Sequence, residues 1–197
     1  MKRQYTALLS AFNKKGLDEF ARQLVERGWK ILASGGSAKY LAERGIPVTD
    51  VATIVGAPIL GHRVVTLSRE IHAALLATDS PEDQLELDRL GIPRIDLVYV
   101  DLYPLEEVIA NGGTLAEVIE KTDIGGPTML RSAAKGRRIT LCHSSQFEDA
   151  LVVVDNFDEF KKSNSTFSSF TCVVEKRIAE YCVASSNFHQ RVALTGK

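Results

Sequence analysis

An open parallel α/β sheet with helices on both faces is the fold class this sequence predicts, and two observations carry it. Up to Gly45 the chain holds two strand–turn–helix units in succession, the alternation that builds a parallel sheet. Ile95 to Tyr103 is then a near-continuous apolar run, as expected of a strand buried on both faces.

Taken in order, Tyr5–Phe12 is an apolar run of strand length. After the break at Asn13–Gly16, Leu17, Phe20, Ala21 and Leu24 recur at helical spacing, and Gly28 ends that helix. Trp29–Ala33 is a second strand, closed by Ser34-Gly-Gly-Ser37, and a helix from Ala38 to Arg44 stops at Gly45. Ile46–Val51 is extended, and Val51–Gly61 is loop-like. Arg63–Leu67 is predicted as a short strand, with Glu70–Ala77 and Pro81–Leu90 as helices. Pro104 ends the long apolar strand. Helices follow at Leu105–Ala110 and Leu115–Glu120, then an element from Asp123 to Lys135, then a strand at Arg138–Cys142. Gln146–Lys162 is partly helical, with Leu151–Val154 ambiguous between helix and strand. Asn164–Ser169 reads as a loop and Cys172–Val192 as a long closing helix. No repeat or linker divides the chain, so residues 1–145 are expected to form the α/β domain and 146–197 its helical C-terminal extension.

With 197 residues, 45% of them hydrophobic, there is room for one sizeable core. A formal charge of −1 argues against a nucleic-acid binder or a membrane-surface protein. No apolar run approaches a bilayer span, and the stretch behind Met1-Lys2-Arg3 is too short and polar for a signal peptide. Cys142, Cys172 and Cys182 lack metal-ligand spacing; they are expected to be reduced and structural, in a cytoplasmic protein without a metal.

In an open parallel sheet, ligands bind outside the carboxyl ends of the strands. That rule gathers four stretches on one rim: Ser10–Gly16, Ser34–Ser37, Asp101–Pro104 and the mouth of the Asp123–Lys135 element. The mouth is suited to a ligand. Gly125-Gly126 lets backbone come close to another molecule, Pro127 sits as a first helical residue, and a helix start presents unpaired N–H groups. Asp123 stands at this mouth and Lys135 at the far end; an ordinary capped helix accounts for the spacing equally well. Ser34-Gly35-Gly36-Ser37 reads as a phosphate cradle of N–H groups and two hydroxyls, with Lys14 and Arg63 adding positive charge. Its alternative is a plain strand-to-helix turn with a serine cap. Tyr103 is a phenolic donor at a strand end or a half-buried aromatic. His72 reads as a packed histidine and Arg131 as a helix-surface ion pair.

The run Asp123-Ile-Gly-Gly-Pro-Thr-Met-Leu-Arg-Ser-Ala-Ala-Lys135 resembles, nearly residue for residue, the signature of the IMP cyclohydrolase domain of bifunctional purine-biosynthesis enzymes. Supporting stretches are Leu32–Lys39, Gly45–Val51, Arg63-Val64, Thr66-Leu67, His72 and Leu102–Pro104. The similarity runs from Tyr5 to Cys142 and more faintly along the closing helix. It implies a methylglyoxal-synthase-like, Rossmann-like three-layer fold. The activity it implies is ring closure of 5-formamidoimidazole-4-carboxamide ribotide (formyl-AICAR) to IMP with loss of water, without cofactor or metal. By the same resemblance Ser10, Lys14, Ser34, Gly35, Gly36, Ser37, Arg63, Thr66 and Asp101 surround the nucleotide. Asp123 moves protons, Tyr103 and Lys135 steady the reacting carbonyl groups, and the Gly125 and Gly126 amides assist. A homodimer is implied. The family's larger transformylase domain has no counterpart here, so a separate AICAR transformylase chain is a candidate partner and formyl transfer from a folate is not expected.

Three stretches depart from the family pattern. Arg-Val-Lys-Thr-Leu-His-Pro becomes Arg63-Val-Val-Thr-Leu-Ser-Arg69, which puts Val65 where the family has a nucleotide-contacting lysine. Ser-Val-Ser-Asp-Lys becomes Ser10-Ala-Phe-Asn-Lys14, replacing a hydroxyl by Phe12, and Asn-Leu-Tyr-Pro begins with Asp101. These departures keep a non-catalytic purine-nucleotide-binding module of the same fold as the alternative. Methylglyoxal synthase, acting on a triose phosphate, fits the helix signature less well.

Overall fold

The computed structural model describes residues 4–196. In chain order the elements are β1 (Thr6–Ala11), α1 (Leu17–Glu26), β2 (Lys30–Ala33), α2 (Gly35–Ala42), β3 (Thr49–Asp50), α3 (Ala52–Val55), α4 (Arg69–Leu76), α5 (Pro81–Leu90) and β4 (Leu97–Asp101). They continue with α6 (Leu105–Ala110), α7 (Leu115–Lys121), α8 (Gly125–Lys135), β5 (Ile139–Leu141), a 3-10 turn at Ser144–Gln146, α9 (Phe147–Asp155), α10 (Phe157–Lys162) and α11 (Asn164–Thr195). The strands form one sheet in the order β3-β2-β1-β4-β5, every neighbouring pair parallel. From β1 the chain winds to one side and from β4 to the other. The switch between β1 and β4 therefore opens a crevice at their carboxyl ends.

Alternation along β1 sends successive side chains to opposite cores. Leu9 joins Phe20, Leu24, Trp29, Tyr99 and Phe147 on one face, and Leu8 joins Ile71, Leu75, Val98, Leu130 and Val174 on the other. Residues beyond 145 serve both. Phe147 stacks on Phe20 with ring centres 4.1 Å apart, while Val174, Tyr181 and Phe188 of α11 line the second core. Among the described residues no helix is long and apolar enough to cross a membrane.

Several expectations are corrected. Arg63–Leu67 is not a strand: Val64 makes a single antiparallel bridge to Ile59 across a turn with Leu60 and Gly61 at positive φ. Asn164–Ser169 is helical, because the Ser163 hydroxyl accepts the Thr166 N–H and Phe170 is buried in the first core. Leu151–Val154 lies within α9. Pro127 is the third residue of α8, where its missing N–H still costs no intrahelical bond. Cys142 is buried, but Cys172 and Cys182 are exposed on α11 and do not pack as structural residues.

Candidate functional site

The crevice is bridged at its base by β4 and the β1 loop. Asp101 accepts the Phe12 N–H on its carbonyl at 3.2 Å and the Asn13 N–H on its carboxylate at 2.6 Å. Its charge thus holds the loop rather than facing a ligand. The Phe12 ring meets the Tyr103 ring edge-on, with centres 5.7 Å apart.

On the β2 side, Ser10 and Ser34 pair their hydroxyls at 2.7 Å. Gly35 and Gly36 open α2 and are exposed, so the first N–H groups of a helix face outward there. The Lys14 ammonium donates to the carbonyls of Ala11 and Phe12 at 3.1 and 3.2 Å, and a Cβ on Gly36 would sit 4.0 Å from it. Carbonyls orient this ammonium without neutralising it, so a phosphate between Lys14 and the α2 N-terminus would meet a full positive charge. Ser37 does not belong to this cradle. It is 2% exposed, and its Oγ takes the Ala11 N–H at 3.0 Å and returns a bond to the Ala11 carbonyl. Because α2 begins at Gly35 rather than Ala38, Ser37 falls on the inward face of its first turn.

On the far side stand Asp123 and the start of α8. Burial pushes the Asp123 carboxyl above the usual carboxylate range, and the N–H groups of Gly126 and Tyr103 offset only part of that. The Gly126 contact is 2.8 Å. A Cβ at Gly126 would lie 2.5 Å from Asp123 Oδ2 and 2.7 Å from Leu102, so no larger residue fits beneath the carboxylate. Gly125 packs as closely on Thr66, whose Oγ1 would be 2.8 Å from a Cβ there. Burial also raises the Tyr103 phenol, with Asp123 and Glu120 adding to it, so Tyr103 keeps a proton that it can donate.

Two residues escaped the sequence reading. The Lys121 ammonium lies 5.8 Å from the centre of the Tyr103 ring and 5.9 Å from that of Phe12, capping both. Glu120 beside it pairs with Arg63 at 3.3 Å and His62 at 3.4 Å, which draws the exposed Arg63 to the edge of the site. A recess of about 540 Å³ between α6 and α7 meets the rim at these two residues. Only their proximity to Asp123 in sequence hinted at either.

Lys135 does not join the cluster. The ten steps of α8 from Gly125 to Lys135 place it about 15 Å along the helix. There it lines a cavity of about 180 Å³ with Arg94, Arg137, Arg138 and Phe167 at the opposite rim. Val65 packs against the second core. His72 pairs Nδ1 with Ser132 Oγ at 2.8 Å and burial lowers its pKa, while Arg131 pairs with Glu175.

The MGS-like domain family matches residues 16–128. A bifunctional purine biosynthesis protein PurH from Thermosynechococcus vestitus (strain NIES-2133 / IAM M-273 / BP-1) is 52% identical over 151 residues, covering 74% of this chain and 29% of that protein. One from Trichormus variabilis (strain ATCC 29413 / PCC 7937) is 42% identical over 196 residues, covering 96% and 34%. The crystal structure of ForH superposes with a TM-score of 0.74 at 30% identity, covering 94% of this chain and 98% of that one. The chain spans about a third of the length of the curated relatives it matches.

Proposed function

We propose, from the premise that the chain belongs to the MGS-like domain family and corresponds to that part of PurH proteins, that it closes 5-formamidoimidazole-4-carboxamide ribotide to IMP. The observation that carries this reading is a buried carboxyl of raised pKa, Asp123, near a protonated phenol, Tyr103, on the rim that also holds the Ser34–Gly36 cradle. The cradle and Lys14 hold the ribotide phosphate. The carboxamide nitrogen attacks the formyl carbon, a C–N bond forms, and the carbonyl electron pair moves to oxygen. Tyr103 and the helix-start amide of Gly125 stabilise that oxygen as charge grows on it, while the Gly126 amide is already committed to Asp123. Asp123 takes the proton from the attacking nitrogen and returns it to the oxygen. The oxygen leaves as water as the formamido nitrogen gives up its proton and forms the C=N bond. A carboxyl with a raised pKa suits both halves of that relay.

The test is ring closure of the formylated ribotide by the purified protein, followed by ultraviolet absorbance. A rate at the uncatalysed background in a folded sample rejects the reading. Two observations favour a second reading, a nucleotide-binding module without turnover: Val65 lies against the core with no amine to offer, and Phe12 covers Tyr103. Calorimetry that finds tight IMP binding in a protein without turnover selects it. Lys135 can act on this reaction only from a second copy, so the proposed homodimer is also where its role is tested.

A further inference from the structure

We propose that Tyr181, on α11, is a positioning residue of this site: its hydroxyl holds the turn from Lys121 to Asp123 and thereby aims both side chains at the rim. The inference rests on the cyclohydrolase reading for its kinetic consequence. Three residues join α7 to α8, and a helix end leaves its last carbonyls without partners just as a helix start leaves its first N–H groups. Here one hydroxyl serves both. Tyr181 Oη accepts the Asp123 N–H at 2.8 Å and donates to the Lys121 carbonyl at 2.9 Å. The residue is 2% exposed, and burial pushes its phenol up to about 12, so it remains a donor. Its reach is set by the seating of α11. One turn earlier Arg177 makes two bonds to Glu106 of α6, whereas the Glu175 pair with Arg131 of α8 is solvent-exposed and adds little to that seating. The helix lies outside the residues that the domain family matches, so the catalytic turn is held by a part of the chain the family does not specify.

The experiment uses the full chain with Tyr181→Phe, which keeps the ring in the core and removes only the hydroxyl. Expected are a kcat about tenfold lower and a KM changed less than twofold, since the carboxyl loses its aim and the phosphate cradle is untouched. Glu175→Gln is the control: it removes the Arg131 pair of α11 without touching the turn, and its kcat should stay within twofold. In hydrogen exchange, the Asp123 amide of Tyr181→Phe should lose about tenfold in protection while the amides of α11 keep theirs. A kcat within twofold of the parent, an equal loss in Glu175→Gln, or unchanged Asp123 protection overturns the proposal. Absence of ring closure in the parent protein sinks the enzymatic reading alone, and the exchange measurement still decides whether Tyr181 holds the turn.

Discussion

The two ends of α8 solve the same problem in opposite ways. Each has a glycine pressed against a neighbour: a Cβ at Gly126 would sit 2.5 Å from Asp123, and one at Gly136, just past the helix, 1.9 Å from the Leu75 carbonyl oxygen. Each lies beside a buried ionisable group. Arg138, 2% exposed, donates to the carbonyls of Leu75 at 2.8 Å, Ala74 at 3.5 Å and Ala77. Its charge is thoroughly hydrogen-bonded and ties α4 to the start of β5. Asp123 receives two backbone N–H groups that fall short of offsetting its burial, so it holds its proton more tightly than an ordinary carboxyl. A saturated buried charge holds a structure together; an under-satisfied one is available for chemistry.

That contrast breaks most sharply at Asp123 itself. Asp123→Asn should lower ring-closure kcat by about 10²–10⁴-fold, the range for losing a general acid–base, without a lower melting temperature. At the other end Arg138→Met should do the reverse. Stranding its carbonyl partners should cost about 2–4 kcal/mol in denaturant unfolding, with kcat of the folded protein within twofold of the parent. Tyr103→Phe should lose about ten- to a hundredfold in kcat, read against an unchanged Kd for IMP by calorimetry.

A smaller effect concerns pH. The folded state binds the Asp123 proton more tightly than the unfolded chain. Burial of the carboxylate therefore removes stability as pH rises from about 3.9, the unfolded value, through the raised folded value, and the loss is constant above. Melting curves of Asp123→Asn should consequently lie above the parent's beyond that window and coincide with them below pH ~4. Smallest in stability is Lys135→Met, an exposed change worth within about 0.5 kcal/mol. Its sharper readout is mixing: if the partner copy supplies this amine, Lys135→Met and Asp123→Asn proteins should recover activity only when combined.

Much of the frame was legible because it is local. Leu17, Phe20, Ala21 and Leu24 announced an inward helix face and are all buried. The apolar run ending at Tyr103 contains β4, buried from Leu97 to Val100. At the glycine pair the atoms within 3 Å of where a Cβ would stand belong to Thr66, Asp123 and Leu102 of the chain itself, a crowding that the local sequence does not show. Misreadings came where a single residue outvoted its neighbours: the Ser163 cap turned a polar stretch into the first turn of α11, and Gly35 started α2 early enough to bury Ser37.

By itself, then, the sequence determined most of the elements and their parallel arrangement, since periodicity, caps and glycines act over one or two turns. Tertiary structure alone decided which ends meet. Helix α8 spans the sheet from rim to rim, so residues that share one signature, Asp123 and Lys135, part company. Tyr103 and Tyr181, distant along the chain, converge on the turn from Lys121 to Asp123 because hydrogen bonds and core packing between separate elements depend on positions in space that no local pattern encodes.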